Sequence, residues 1–205
     1  FGINKRLPYP HFLGTIDSFV NRFVFLPFGH LVMGCKKRPV LVGEPHGPWS
    51  SSVFSDNFFT NLTYDIDGNL YPINNRIMPR RWETNRYIGS SKAKFLKMGY
   101  ANQNDANFFG MKILERYPQV AKSIARRFPA MMIDEAQDTS DIQMRIIDLL
   151  IENGLENIMF VGDPDQAIFE WHNAKPQLFN DRNNEWEENS IILNENRGSS
   201  QHICN

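Results

Sequence analysis

The sequence predicts an α/β fold, in which a mostly parallel sheet is flanked by helices and a mixed α and β segment is inserted into it. Two observations support this fold class. Short apolar strands alternate with helical patterns after residue 130, and such alternation is typical of a parallel sheet with helices on both faces. Residues 31–103 instead contain many Pro, Gly, Ser and Asn residues with weak helical periodicity, which indicates a separate, inserted unit.

The elements before residue 130 follow from periodicity and turn residues. Apolar side chains at helical spacing predict a helix over 16–25, ended by Pro27 and Gly29. Alternating apolar residues on either side of Asp67-Gly68 predict a β-hairpin over 62–73. Residues 104–128 keep one apolar face, and Pro118 suits the first turn of a second helix there.

The elements after residue 130 form the alternating part of the fold. A short strand over 130–133 runs into Asp134. A helix follows, with Thr139 or Ser140 as its N-cap and Gly154 at its end. A second strand over 158–161 runs into Gly162-Asp163, and we expect a third strand over 191–193.

The distribution of charge indicates contact with nucleic acid. The whole chain has 22 basic and 23 acidic residues. Residues 1–130 carry 18 of the basic and only 8 of the acidic side chains, whereas residues 131–205 carry 4 and 15. Such asymmetry between the two parts of a chain is typical of proteins that bind a polyanion.

Composition excludes several other classes of protein. A hydrophobic fraction of 41% can build a core, so the chain is not disordered as a whole. The apolar runs are too short to cross a bilayer, and two cysteines cannot form a disulfide framework or a zinc site alone. We therefore expect a cytoplasmic protein without a membrane partner. Because the chain begins with Phe1, we expect it to be a fragment.

The first polar cluster follows the strand at 130–133. Asp134 leaves the sheet at its rim, where a carboxylate can hold hydrated Mg²⁺. Glu135 can accept a proton from an attacking water. The plainer interpretation is an acidic helix N-terminus, which the helix dipole favours.

Two further clusters lie at the ends of the following predicted strands. Gln166 has an amide that can both donate and accept, which suits contact with a γ-phosphate and its water. Phe169 and Trp171 could stack on single-stranded bases, although such a pair taken alone is more often core. Arg197 could neutralise charge on a transferred phosphoryl group, although a lone Arg is normally a surface residue.

Four segments in this order resemble motifs of the UvrD/Rep/PcrA-type superfamily 1 DNA helicases. DEAQDTS (134–140) resembles motif II, GDPDQAIFEW (162–171) motif III, LNENR (193–197) motif IV, and residues 14–19 the GT-[FI]-H-x-F element. The resemblance implies a partial RecA-like motor domain (1A) over 1–30 and 116–205, with a 1B-like subdomain inserted at 31–115. It implies Mg²⁺ and ATP as cofactors.

The resemblance also implies roles for individual residues in ATP hydrolysis. Asp134 would coordinate Mg²⁺ and Glu135 would activate the hydrolytic water. Gln166 would sense the γ-phosphate, and Arg197 would act as an arginine finger. No GxxxxGK[ST] loop occurs in the 205 residues, so we expect the fragment alone not to hydrolyse ATP, although the full-length protein would.

The implied DNA contacts are spread over the chain. Phe169 and Trp171 would stack on bases and Thr15 would touch the DNA backbone. Asp17 stands where many members of the family have His, which puts that contact in question. The basic stretch 76–97, including Arg80 and Arg81, is either a solvated surface or a contact to the DNA backbone.

The leading hypothesis for the full-length protein is an ATP-dependent DNA helicase. It would move on single-stranded DNA and at single-strand to double-strand junctions, in DNA repair or phage defence and with a nuclease as a possible partner. The Asp17 variant and the compact layout also resemble the helicase-like component of Gabija-type phage-defence systems. The alternatives are a catalytically inactive DNA-binding or docking module and a metal-dependent nuclease, although no Lys lies between Lys122 and Lys175 to serve a nuclease site.

Overall fold

The computed structural model describes residues 10–42, 62–72, 86–163 and 175–193. The α-helices in these ranges are α1 (Ile16–Val20), α2 (Leu26–Phe28), α3 (His30–Met33), α4 (Arg86–Lys97), α5 (Gln103–Arg116), α6 (Pro118–Arg127), α7 (Asp141–Glu152) and α8 (Pro176–Glu185). The strands are β1 (Val40–Leu41), β2 (Leu62–Tyr64), β3 (Leu70–Pro72), β4 (Tyr100–Ala101), β5 (Ala130–Ile133) and β6 (Asn157–Phe160). A π-helical turn occupies Asn21–Phe25, and 3₁₀ turns occupy Ala136–Asp138 and Glu187–Asn189.

The helix predicted over 16–25 is confirmed, with two differences. Its second half is π-helical and buries Val24 and Phe25 completely. It also does not stop at Pro27 and Gly29, because the backbone stays in the right-handed helical region on either side of Pro27 and through Gly29. The helical path ends instead at Gly34, whose φ of 72° is the left-handed conformation of a helix C-terminus.

The predicted hairpin is confirmed as the antiparallel pair β2–β3, in which Leu62 faces Pro72 and Tyr64 faces Leu70. Ile66 lies in the connecting turn rather than in a strand. Gly68 adopts a φ of 92° in that turn, which suits glycine. Within the same predicted insertion, β1 and β4 form a short parallel pair.

Helix α5 is the centre of the core. A capping box between Asn102 and Asp105 starts it, and it packs against α7, α1 and the π-helical turn. A Cβ on Gly110 would lie 2.7 Å from Cγ1 of Val20, so the two helices approach closely there. Pro118 begins α6, as expected. The subdomain boundary predicted at residue 115/116 falls near the end of α5, and this boundary stays a prediction.

The strand–helix–strand unit after residue 130 is confirmed. Strands β5 and β6 pair in parallel, with Ala130 facing Asn157 and Ile133 facing Phe160. Ser140, rather than Thr139, is the N-cap of α7. Gly154 follows that helix with a φ of 105°. The described chain is therefore a mixed α/β structure with short parallel strand pairs.

One residue of the basic stretch 76–97 is buried rather than presented to solvent. Lys92 on α4 is 0% exposed, and its Nζ lies 2.8 Å from Oδ2 of Asp105 and 2.8 Å from the carbonyl oxygen of Leu62. Burial lowers the pKa of Lys92 and raises the pKa of Asp105, while their mutual attraction opposes both shifts. Lys92 thus joins α4, β2 and α5 from inside and is not available to DNA.

The strand predicted over 191–193 is wrong. Its three residues have no strand conformation, and Ile191 and Leu193 are both 87% exposed. Apolar character alone does not make a strand, because a strand needs a hydrogen-bonding neighbour. Within the described ranges, β5 and β6 pair only with each other.

The expectation that helices cover both faces of the sheet is also wrong for the described part of the chain. Met131, Ile133 and Ile158 point into the packed side of the β5–β6 pair. On the other face, Met132 is 69% exposed and Met159 is 53% exposed.

In the ranges that the structure describes, no helix is both long and apolar enough to cross a membrane.

Candidate active-site loop

The loop 134–140 leaves β5 beside the end of β6. The N–H of Val161 donates to the Ile133 carbonyl (2.8 Å), and the N–H of Ala136 donates to the Val161 carbonyl (2.9 Å). These two bonds continue the parallel pairing beyond both strands. They bring Asp134 and Glu135 next to Gly162 and Asp163 at the carboxyl edge of the sheet, where α/β proteins bind ligands.

Glu135 has an unusual backbone conformation. Its φ of 52° and ψ of 43° lie in the left-handed region, and it is the single non-glycine residue with positive φ in the described ranges. A side chain with a Cβ pays roughly 1 kcal/mol or more for this conformation. The Glu135 N–H donates to Oδ1 of Asp134 at 3.1 Å, and both carboxylates are exposed. The two acidic side chains therefore stand together in solvent at the start of the loop.

Gln137 connects the two strand ends through its side chain and is only 2% exposed. Its Nε2 donates to Oε2 of Glu135 at 2.8 Å. Its Oε1 accepts from the backbone N–H of Asp163 at 3.1 Å. Because a carboxylate only accepts hydrogen bonds, Glu135 fixes which end of the amide faces which partner. Gln137 is not among the site residues predicted from the sequence. Its position inside DEAQDTS, between the predicted site residues and the helix, could have indicated it.

Gly162 permits this contact between the loops. A Cβ at this position would lie 2.6 Å from Oε1 of Gln137 and 3.3 Å from the N atom of Ala136. The structure thus requires glycine at this point for close approach and not for a positive φ, since its φ is outside that region.

Helices α7 and α8 hold the far side of the loop. Ser140 and Gln143 form a capping box at the start of α7, in which the Gln143 N–H donates to Oγ of Ser140 at 3.3 Å. Phe179 of α8 packs on the small cluster that contains Ala136. Lys175 forms an ion pair with Asp141 in the first turn of α7. Two helices therefore brace the loop on the side away from β6.

The turn that resembles the GT-[FI]-H-x-F element lies at the start of α1. Thr15 is exposed and is the N-cap of this helix, where its Oγ1 accepts from the Ser18 N–H at 3.1 Å. The Asp17 carboxylate is partly buried and accepts hydrogen bonds from Asn107 and Gln143. The DNA contacts predicted for Thr15 and Asp17 stay predictions.

Several predicted site residues lie outside the described ranges. These are the γ-phosphate sensor, the arginine finger, the two base-stacking aromatics and the two basic residues of the inserted segment, namely Gln166, Arg197, Phe169, Trp171, Arg80 and Arg81. The structure therefore brings together the loop of Asp134 and Glu135 with the first residues of the 162–171 segment.

The candidate donors for a metal are few. Within the described parts of the chain, no group of three or more His, Cys, Asp or Glu side chains is arranged to hold a metal ion. Mg²⁺ in nucleotide sites is usually held by one or two carboxylates together with waters and substrate phosphates. The exposed Asp134 carboxylate, close to Glu135, fits this second kind of site.

Curated relatives share about half of this chain. An ATP-dependent helicase/nuclease subunit of Streptococcus pneumoniae serotype 2 is 40% identical over 104 residues, which are 48% of this chain and 8% of the relative. The exonuclease/helicase subunit RexA of Streptococcus pneumoniae serotype 4 has the same identity of 40% over 104 residues. The corresponding ATP-dependent helicase/nuclease subunit of Streptococcus thermophilus is 39% identical over 105 residues, 49% of this chain. The chain thus spans about 8% of the length of these relatives.

A family comparison covers the strand–loop–helix unit described above. The family described as UvrD/REP helicase N-terminal domain matches residues 72–187, which is more than half of the chain. The match includes the loop 134–140 and the whole of the 162–171 segment. It confirms the resemblance inferred from the motifs, and the chain belongs to the UvrD/REP helicase N-terminal domain family.

Proposed function

We propose that this chain is part of the RecA-like motor domain of an ATP-dependent DNA helicase, which couples hydrolysis of Mg²⁺-ATP to movement along single-stranded DNA. The observation that carries the proposal is the arrangement at the carboxyl edge of β5 and β6. There the Glu135 carboxylate is held by Gln137, and the same amide binds the backbone of Asp163. The Gln137 side chain thus connects the loop 134–140 to the segment after β6. This connection suits a site in which both segments contact the same nucleotide.

Two carboxylates divide the proposed chemistry between them. Asp134 would hold Mg²⁺, which offsets charge on the phosphates when it is bound. Glu135 would accept the proton of the attacking water as a general base. The hydrogen bond from Gln137 leaves one Glu135 oxygen, Oε1, to face that water while Oε2 stays bound. The strained backbone of Glu135 is consistent with a residue selected for position rather than for stability.

The remaining roles come from the motif resemblance and lie outside the described ranges. Gln166 would sense the γ-phosphate, Arg197 would stabilise charge in the transition state, and Phe169 and Trp171 would stack on bases. The relatives are named as helicase/nuclease or exonuclease/helicase subunits. We therefore propose that the intact protein acts on DNA in the cytoplasm, together with a nuclease activity on the same or a partner chain.

The test is ATP hydrolysis by the intact protein, measured as phosphate release with and without single-stranded DNA. Glu135→Gln should lower the DNA-stimulated kcat by about 10²-fold or more, since it removes a general base, while DNA binding is retained. Glu156→Gln is the matched control, because Glu156 is an exposed acid in the loop before β6. We expect its kcat to stay within about twofold of wild type.

The alternatives give different results in the same experiment. An inactive binding module would bind DNA but release no phosphate in any variant. A metal-dependent nuclease built on these carboxylates would cut labelled DNA with Mg²⁺ or Mn²⁺ in the absence of ATP, and Glu135→Gln would stop that cleavage. Residues 1–205 alone should show no turnover, because they contain no GxxxxGK[ST] loop to bind the β- and γ-phosphates.

A further inference from the structure

A chain of side-chain hydrogen bonds connects the Thr15 turn to the loop 134–140. Asp17 lies in the first turn of α1, two residues after Thr15. Its Oδ1 accepts from Nε2 of Gln143 at 2.7 Å and from Nδ2 of Asn107 at 2.8 Å. One carboxylate oxygen therefore joins α1 to α7 and to α5 at the same point.

The Asp17 carboxylate sets the orientation of both amides. Because it can only accept, Gln143 and Asn107 must each turn their NH₂ group toward it. The Oε1 atom of Gln143 then faces Ser140, where it accepts from the Ser140 N–H at 3.1 Å and from its Oγ at 3.2 Å. Asp17 thus acts, through Gln143, on the residue that ends the loop 134–140.

The second branch of the network leads away from the loop. The Oδ1 atom of Asn107 accepts from Nε2 of Gln103 at 3.3 Å. The Oε1 atom of Gln103 accepts from Nδ2 of Asn21 at 2.8 Å. This branch returns to the π-helical turn that follows α1. The two branches share the Asp17 oxygen but have different destinations.

We propose that Asp17 is a positioning residue that couples the Thr15 turn to the active-site loop through Gln143 and Ser140. This inference rests on the proposed function, because it assigns to the turn the effect of DNA on ATP hydrolysis. A shift of α1 when DNA contacts the turn moves the Asp17 carboxylate. The Gln143 amide follows, and with it the point where the loop enters α7. Asp17 itself does not need to touch DNA.

The first test is hydrogen exchange of the backbone amides of residues 134–140 in the chain itself. Asp17→Ala and Gln143→Ala should speed exchange in this segment by about tenfold, since each removes the brace at Ser140. Asp17→Asn keeps an oxygen acceptor at Oδ1 and should restore most of the protection. Asn107→Ala is the matched control, because it removes a bond to the same oxygen on the branch that leads away. Its exchange in 134–140 should stay within about twofold of wild type.

The second test is DNA-stimulated ATP hydrolysis by the intact protein with the same variants. Asp17→Ala and Gln143→Ala should lower the maximal stimulation by DNA about tenfold, with no change in the DNA concentration that gives half of it. The double variant should be no worse than either single variant. A direct DNA contact would instead raise the half-maximal DNA concentration and leave the maximum unchanged.

The two tests separate this inference from the proposed function. If the wild-type intact protein shows no DNA-stimulated hydrolysis, the proposed function fails, and the exchange experiment still decides whether Asp17 positions the loop. Equal loss of protection in Asn107→Ala and Gln143→Ala would overturn the inference, because Asp17 would then serve only the packing of three helices. A raised half-maximal DNA concentration in Asp17→Ala with normal exchange would overturn it as well.

Discussion

Replacing Gly162 by Ala should uncouple the two strand-end loops. The added Cβ would lie 2.6 Å from Oε1 of Gln137, a separation that real Cβ atoms essentially never show. It would also lie 3.3 Å from the N atom of Ala136 and 3.2 Å from Cζ of Phe179. The new methyl group therefore has short contacts with three residues. The Gln137 amide must move, and both of its hydrogen bonds are then lost.

The size of the effect follows from these contacts. Gln137 is buried, so each lost hydrogen bond costs about 1 kcal/mol, with the bond to the exposed Glu135 at the low end of that range. Crowding against Ala136 and Phe179 adds about 1 kcal/mol. Because Gly162 does not have a positive φ, the alanine causes no backbone strain there. We expect the free energy of unfolding to fall by about 2–3 kcal/mol.

Urea unfolding of the chain, followed by circular dichroism, measures this change. Gly89→Ala is the matched control, because a Cβ on Gly89 of α4 meets nothing within 4 Å among the residues that the structure describes. That variant should be stabilised by up to about 1 kcal/mol, as Ala is the better helix former. The double variant Gly162→Ala with Gln137→Ala should cost at least about 1 kcal/mol less than the sum of the single variants.

Two results would refute this reasoning about Gly162. A decrease in the free energy of unfolding of less than about 0.5 kcal/mol would mean that the hydrogen bonds of Gln137 between the two loops do not stabilise the fold. Strict additivity of Gly162→Ala and Gln137→Ala would mean that the methyl group does not act through the amide. In the intact protein, Gly162→Ala should also lower the DNA-stimulated kcat while DNA affinity is retained, since Glu135 loses the bond that orients it.

Three further predictions concern stability and are checked by urea unfolding. Lys92→Met should cost about 3–5 kcal/mol at neutral pH because it leaves Asp105 buried without its partner, whereas Lys112→Met, from a half-exposed ion pair, should cost less than about 1 kcal/mol. Burial already raises the pKa of Asp105, and loss of the ammonium raises it further. The folded state then binds the proton more tightly, so the Lys92→Met penalty should be smallest below about pH 4 and grow as the pH rises. Ser140→Ala should cost about 1 kcal/mol through the lost N-cap. Gly110→Ala should cost about 1–3 kcal/mol despite its better helix propensity, because the new Cβ would lie 2.7 Å from a valine methyl on α1.

Local sequence signals predicted the elements that carry the site. Apolar runs bounded by capping and turn residues predict the strand into Asp134, the cap near Ser140, the Gly154 terminus and the parallel strand that precedes Gly162. These signals depend on neighbours in sequence, which is why they are visible without the fold. They also place the two loops at the same edge of the sheet.

Long-range contacts could not be predicted in the same way. Lys92 belongs to a stretch predicted as a basic surface, yet its ammonium is buried against Asp105, thirteen positions later, and the Leu62 carbonyl, thirty positions earlier. Nothing in the spacing of charges indicates that one lysine among several points inward. The strand predicted over 191–193 was wrong for a related reason. Apolar residues alone do not indicate whether another strand lies beside them to pair with.

The contacts of Gln137, Gln143 and Ser140 all restrain the loop that holds Glu135 in its strained conformation. A glutamate in the left-handed region would relax to an ordinary conformation if the surrounding backbone let it. Gln137 and the Ala136–Val161 hydrogen bond hold the loop from the sheet side, whereas Gln143 and Ser140 hold it from the helix side. Loss of either brace removes one constraint and allows the carboxylate to leave Gln137. The geometry of the proposed catalytic site therefore depends on two amides, those of Gln137 and Gln143, which both lie outside the pair of acidic residues. If the proposed function holds, a substitution at either amide should lower ATP hydrolysis in the intact protein.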